Sequence, residues 1–339
     1  MKKIRVLLTL SLAALSIPFV HGKKNVDLSI VAVPEEGGVK FERITEDADA
    51  VSSAFPAKKG LFNFGGGKAS TVTWWVNPQI GITPDGKKIA YINNKNGTTN
   101  VMVKDAKRGG SSVQRTFRTN VRDFTLSPDG KTIVFTEWRS NHYGIYLIDT
   151  EQGNVVRQVS SGTDNDFAGQ MTGDNNNVYF HRGEGFGAYS LWSWDRKNNL
   201  FSNYSRGMTP VVDPKNKDVI YCARFTETKE SEIWRLNLKT GVEEVILSLP
   251  ERSFTTPQLS PDGKWLLVTG TSQSEKHRDL NTDIFAVRTD GSQLTQLTFH
   301  PGNDLSAIWA PDGKSIYFVS ERGTSKKGQY NVWQMDFNL

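Results

Sequence analysis

The sequence predicts an all-β fold, a β-propeller of six four-stranded blades, with seven as the alternative. Three observations carry that prediction. A Pro-Asp-Gly turn recurs between apolar runs at Pro84-Asp85-Gly86, Pro128-Asp129-Gly130, Pro261-Asp262-Gly263 and Pro311-Asp312-Gly313. Proline pre-sets φ, aspartate bonds the backbone ahead of it and glycine accepts positive φ, so each triplet closes the same hairpin. Two degenerate copies, at Asp174 and Lys215, fall in step with the four and give the 40- to 50-residue period of a propeller blade. The last copy stops after a third strand, Tyr330 to Phe337, while Val39 to Thr45 is a spare strand near the amino end. Pairing the two closes the ring and removes an exposed edge.

Residues 1–22 read as a signal peptide. Lys2, Lys3 and Arg5 precede the apolar run Val6 to Phe19, and Val20-His21-Gly22 supplies a cleavage site. About 14 apolar residues fall short of the roughly 20 that span a bilayer. Removing the leader leaves 38 basic against 36 acidic residues, with no basic stripe. That argues against nucleic acid as a ligand. The expectation is a periplasmic or secreted monomer with no membrane span after cleavage. Cys222, the only cysteine, sits in the apolar run Val219-Ile220-Tyr221 and reads as a buried strand residue.

Residues 23–45 read as amino-terminal strands, with Leu28 to Val33 ahead of Val39 to Thr45. Residues 46–76 break the pattern: Leu61-Phe62-Asn63-Phe64-Gly65-Gly66-Gly67 and Thr73-Trp74-Trp75 read as an inserted aromatic and glycine-rich loop. From residue 77 to 339 the propeller repeat is regular. A first strand precedes each turn, a second follows it, a third alternates apolar and polar residues (Tyr143 to Asp149, Ile233 to Leu238), and a short fourth completes the unit.

Antiparallel blades put all Pro-Asp-Gly turns on one face, where their uniformity reads as structural. The second-to-third loops and the blade-to-blade connections share the other face, the default binding surface of such a scaffold. The connections offer Arg122, Asp123, Asp164, Asp166, Arg206, Arg252 and Asp304 as binding candidates. The loops offer His142, Tyr143, His181 and Arg182, and the insertion adds Trp74 and Trp75.

Catalytic signatures fail when tested. Gly183-Glu184-Gly185-Phe186-Gly187-Ala188 fits a dinucleotide fingerprint but is flanked by strands, and Gly65-Gly66-Gly67-Lys68-Ala69 lacks the first glycine and the hydroxyl of a phosphate loop. No Gly-x-Ser-x-Gly elbow occurs. No catalytic residue and no cofactor is assigned. Ca²⁺ or another divalent metal is the alternative, with His142 and His181 on neighbouring blades as its weak candidate ligands. Asp164, Asp166 and Asp174 miss the EF-hand spacing.

The repeated residues, Leu126-Ser127-Pro128-Asp129-Gly130-Lys131 with Ile145-Tyr146-Leu147-Ile148-Asp149, and Ile308-Trp309-Ala310-Pro311-Asp312-Gly313-Lys314, resemble the WD-like propeller repeats of the TolB family. The resemblance covers residues 77–339 and implies a scaffold that binds a protein or cell-envelope partner through its loop face. That family has an α/β domain before its propeller, and residues 23–76 are too few for one. The alternative is a carbohydrate-active enzyme, a lyase or hydrolase working at the axial opening, as in propeller lyases that act on uronic-acid oligosaccharides.

Overall fold

The computed structural model describes residues 35–36, 39–46, 79–94, 98–117, 121–152, 157–160, 162–183, 189–227, 230–249, 252–272, 282–300, 302–324 and 329–339. The expected leader, the strand Leu28 to Val33 and the insertion beyond Glu46, with Trp74 and Trp75, lie outside the described residues. Among the described residues all regular structure is strand, in six antiparallel sheets. No helix there is long and apolar enough to cross a membrane.

Each sheet is one blade. The inner strands are Ile80–Ile82, Val121–Leu126, Asp166–Met171, Met208–Asp213, Arg252–Leu259 and Asp304–Trp309. Consecutive inner strands contact one another all the way round, and the last returns to the first. The count is therefore six, not seven.

Turn chemistry explains the repeat. Gly130 N donates to Ser127 O at 2.8 Å. One oxygen of Asp129 accepts from Ser127 Oγ at 2.6 Å and from Lys131 N at 3.0 Å. Asp85 with Thr83 and Asp262 with Ser260 repeat the arrangement. The degenerate copy keeps it through Thr172 and Asp174, and Asn175 takes the left-handed φ of 55° that glycine takes elsewhere. Asparagine tolerates that region better than other side chains.

A bulge interrupts the inner strands of blades three to six. Ala168, Thr209, Thr256 and Ser306 sit at these bulges with φ between 46° and 54°. A bulge withdraws an N–H from its ladder, and that donor needs another acceptor. The preceding blade supplies one. Ala168 N donates to Asp123 Oδ1 at 3.1 Å, Thr209 N to His181 Nδ1 at 3.3 Å and Ser306 N to Thr269 Oγ1 at 3.2 Å.

The ring closes as the spare strand indicates. Phe41, Glu42 and Arg43 pair with Met335, Gln334 and Trp333, and Ile44 N donates to Val332 O at 2.8 Å. Lys104, buried on the neighbouring first blade, donates to Ile44 O at 2.8 Å and ties that junction shut. Glu35–Glu36 adds a fifth strand to this blade.

The core lies between blades. Leu266, Val268 and Phe285 of blade five pack on Val219, Tyr221 and Ile233 of blade four. Each such side chain contributes about 1.5–3 kcal/mol when fully buried. Cys222 belongs to this interior, where burial pushes its thiol up to about 12 and leaves it unreactive.

Candidate functional site

Strand direction separates two faces. Every inner strand runs from the loop face to the turn face, so the candidate residues of the connections gather where the inner strands begin. The structure divides them into residues that hold blades together and residues left available.

Asp123 is fully buried and accepts Thr136 Oγ1 at 2.6 Å besides the Ala168 amide. Asp166 is buried too and receives Arg182 through two bonds, Nε at 2.7 Å and Nη2 at 3.0 Å. These bonds raise the pKa of the guanidinium above its usual value. Arg182 also stacks 4.3 Å from the Trp192 ring centre, and the exposed Asp164 stands 3.5 Å from its other nitrogen. Asp304 repeats this arrangement on the sixth blade, 2.7 Å from Arg322, with both side chains buried. Arg322 lies over Phe41 at 4.2 Å and Phe318 at 5.1 Å. It thus links the inner strand of its blade to the strand that closes the ring.

His181 is wholly buried and stacked on Phe167. Because Nδ1 accepts the Thr209 amide, the ring is the neutral tautomer with its proton on Nε2, which has no partner among the described residues. Burial lowers its pKa to about 3, with the charge of Arg122 adding to the shift. His142 begins the third strand of blade two, and its Nδ1 lies 3.2 Å from Ser140 O. The expected loop there is a two-residue hairpin, with Ser140 and Asn141 at φ 52° and 67° as a type I′ turn requires. Among the described residues no three His, Cys, Asp or Glu side chains gather as a metal would need.

The remaining candidates all lie against aromatic rings. Tyr143 donates its amide to Asn165 Oδ1 at 2.8 Å and packs its ring on Trp138 and Phe167. Arg122 lies 5.2 Å from the Tyr143 ring centre and 5.3 Å from that of Phe167. Arg206 lies over Tyr189 and donates to its hydroxyl at 3.3 Å. Arg252 covers Phe285, and burial lowers its pKa against the pull of Asp283.

Exposed apolar side chains complete the picture. Phe117 is 74% exposed and Trp138, Leu249 and Phe299 are each about 40% exposed, all on the loop face. The other large apolar residues exposed among those described border the outer strands or end the chain, and none lies on a Pro-Asp-Gly turn. Sequence reasoning passed over Phe117, Leu249 and Phe299. The signal was a lone apolar residue amid polar ones, as in Thr116-Phe117-Arg118 and Thr298-Phe299-His300. It also passed over Arg322, which is among the most deeply buried side chains.

Known proteins share this architecture. The family model described as the TolB beta propeller domain matches residues 194–338. The chain carries a TolB-like β-propeller. The Tol-Pal system protein TolB of Wolinella succinogenes is 32% identical over 151 residues, 42% of this chain and 32% of that protein. The match thus spans about a third of that relative's length. TolB from Acinetobacter baumannii superposes with a TM-score of 0.58 at 20% identity, over 68% of this chain and 56% of that one. Oligogalacturonate lyase from Vibrio parahaemolyticus superposes with a TM-score of 0.55 at 10% identity, over 90% and 95%. At such identities the two solved structures show the fold alone.

Proposed function

We propose that this propeller is a non-enzymatic scaffold that binds a protein partner of the cell envelope through its loop face, in the periplasm or after secretion. The asymmetry of the two faces carries the reading. On one, the turn aspartates bond their own turns. The other carries four exposed apolar side chains and arginines stacked on aromatic rings. Apolar exposure confined to one face beside oriented polar groups is a mark of partner surfaces. The likeness to a TolB named for the Tol-Pal system supports the same reading.

The lyase reading rests on the length of the likeness to oligogalacturonate lyase, which extends over 95% of that chain. The two readings separate in one experiment. Immobilised protein is incubated with envelope extract, and bound protein is compared between the wild type, Asp129→Ala, and a Phe117→Ser/Trp138→Ser/Phe299→Ser variant. A stoichiometric partner retained by Asp129→Ala and lost by the triple variant is the expected result. Retention by the triple variant overturns the choice of face. Release of unsaturated uronates from oligogalacturonate replaces the scaffold reading with the enzymatic one.

A further inference from the structure

We infer that the loop face is built to take an acidic peptide segment, with Arg122 and Arg206 receiving its carboxylates and the exposed apolar residues receiving its apolar side chains. The inference rests on the scaffold reading above and names the chemistry of the partner.

It follows from how charge is distributed on this face. Several of the described carboxylates there are already occupied. Asp123 holds a hydroxyl and a bulge amide, while Asp166 and Asp304 hold Arg182 and Arg322. Glu321 accepts both the backbone and the side-chain nitrogen of Asn303 at 2.9 Å. Arg122 and Arg206 are different: among the described residues, neither meets a carboxylate. Arg122, half-buried, rests against Tyr143 and Phe167, and Arg206, exposed, rests on Tyr189. They stand at or just before the inner strands of blades two and four, beside the axis.

Stacking on rings restricts a guanidinium's rotamers without using its donor fork, so little entropy remains to be lost when a carboxylate arrives. Arginine's planar fork matches a carboxylate through two parallel bonds, stronger than bonds between neutral groups. Phe117, Trp138, Leu249 and Phe299 call for apolar side chains interleaved with the acids. The turn face is a poorer anion site despite its lysines, because Lys87 and Lys264 lie 3.9 and 3.8 Å from the carboxylates of their own turns.

The test is fluorescence anisotropy of the full chain with a labelled, amidated peptide of about twelve residues that alternates Asp or Glu with Leu or Trp. Glutamine and lysine versions of the same peptide are compared with it. The acidic peptide is expected to bind at least about tenfold more tightly than the glutamine version, and added salt is expected to weaken it. Arg122→Gln and Arg206→Gln each weaken it roughly three- to tenfold and the double variant more, with thermal unfolding unchanged. Lys131→Gln on the turn face has no effect. Equal binding of the acidic and glutamine peptides overturns the inference, as does an effect confined to Lys131→Gln. So does displacement of the peptide by trigalacturonate at lower concentration than by the unlabelled acidic peptide. If the double variant still recovers the envelope partner, the scaffold reading stands and the acidic assignment falls. If the acidic peptide binds as expected but extracts yield no partner, the scaffold reading falls by itself.

Discussion

Replacing Asp304 by asparagine removes a buried carboxylate that lies 2.7 Å from Arg322, whose guanidinium is only 1% exposed. Removing one partner of a buried ion pair costs about 3–5 kcal/mol, because the survivor keeps its desolvation penalty. The position raises the stakes, since Arg322 also packs on Phe41 of the closing strand and Phe318 of its own blade. Arg235–Glu244 is the internal control: at 3.1 Å it is nearly as short, but its side chains are 41% and 52% exposed. An exposed pair contributes about 0.2–1 kcal/mol. Urea unfolding followed by tryptophan fluorescence compares Asp304→Asn, Arg322→Met, Asp304→Leu/Arg322→Met and Glu244→Gln. Each single change at the buried pair is expected to cost about 3–5 kcal/mol, and the double change less than the sum. A loss below about 1 kcal/mol in either single variant, or strict additivity, would refute the argument that the pair holds the closure together.

Two further predictions concern the scaffold. His181 is neutral in the fold, its pKa lowered from 6.5 to about 3, so the unfolded chain binds the additional proton as pH falls. Its contribution is fully present above pH 6.5 and is lost on descending from there toward about 3, at about 1.4 kcal/mol per pH unit. His181→Gln, whose carbonyl can still accept the Thr209 amide, removes that slope from the unfolding free energy measured between pH 7 and 4; an unchanged slope contradicts the assignment. Gly86 and Gly130 share a left-handed φ, 69° and 72°, but a Cβ on Gly130 would lie 2.6 Å from Pro84 Cδ, whereas Gly86 has 3.8 Å of room. Gly86→Ala is expected to cost about 1–2 kcal/mol and Gly130→Ala about 1–3 kcal/mol more, and equal urea midpoints would count against turn-on-turn packing.

Much of the architecture is local chemistry and could be read without coordinates. The Pro-Asp-Gly turns announce their hairpins because proline, aspartate and glycine act within four residues of one another. The pairing of Val39 to Thr45 with the carboxyl-terminal strand was legible from a count of strands. The inner-strand bulges were not, since Ala168, Thr209 and Ser306 carry no signature of left-handed φ. Their conformation is stabilised by acceptors on the preceding blade, 28 to 45 residues away in sequence.

The candidate site divides along the same line. Sequence nominated Asp123, Asp166, His181 and Arg182 together with Arg122 and Arg206, because polar residues in connections look alike in one dimension. Burial and partner geometry distinguish them: the first four join strands or blades, and the last two lie stacked on aromatic rings with no carboxylate partner among the described residues. By itself the sequence determined the repeat, the closing strand and the face that carries the turns, all of which follow from short-range backbone preferences and the need to pair strand edges. Which charges cancel, which arginines stay available and which apolar residues stay exposed was decided only when six blades met around an axis. Desolvation and ion pairing depend on neighbours that the order of residues does not reveal.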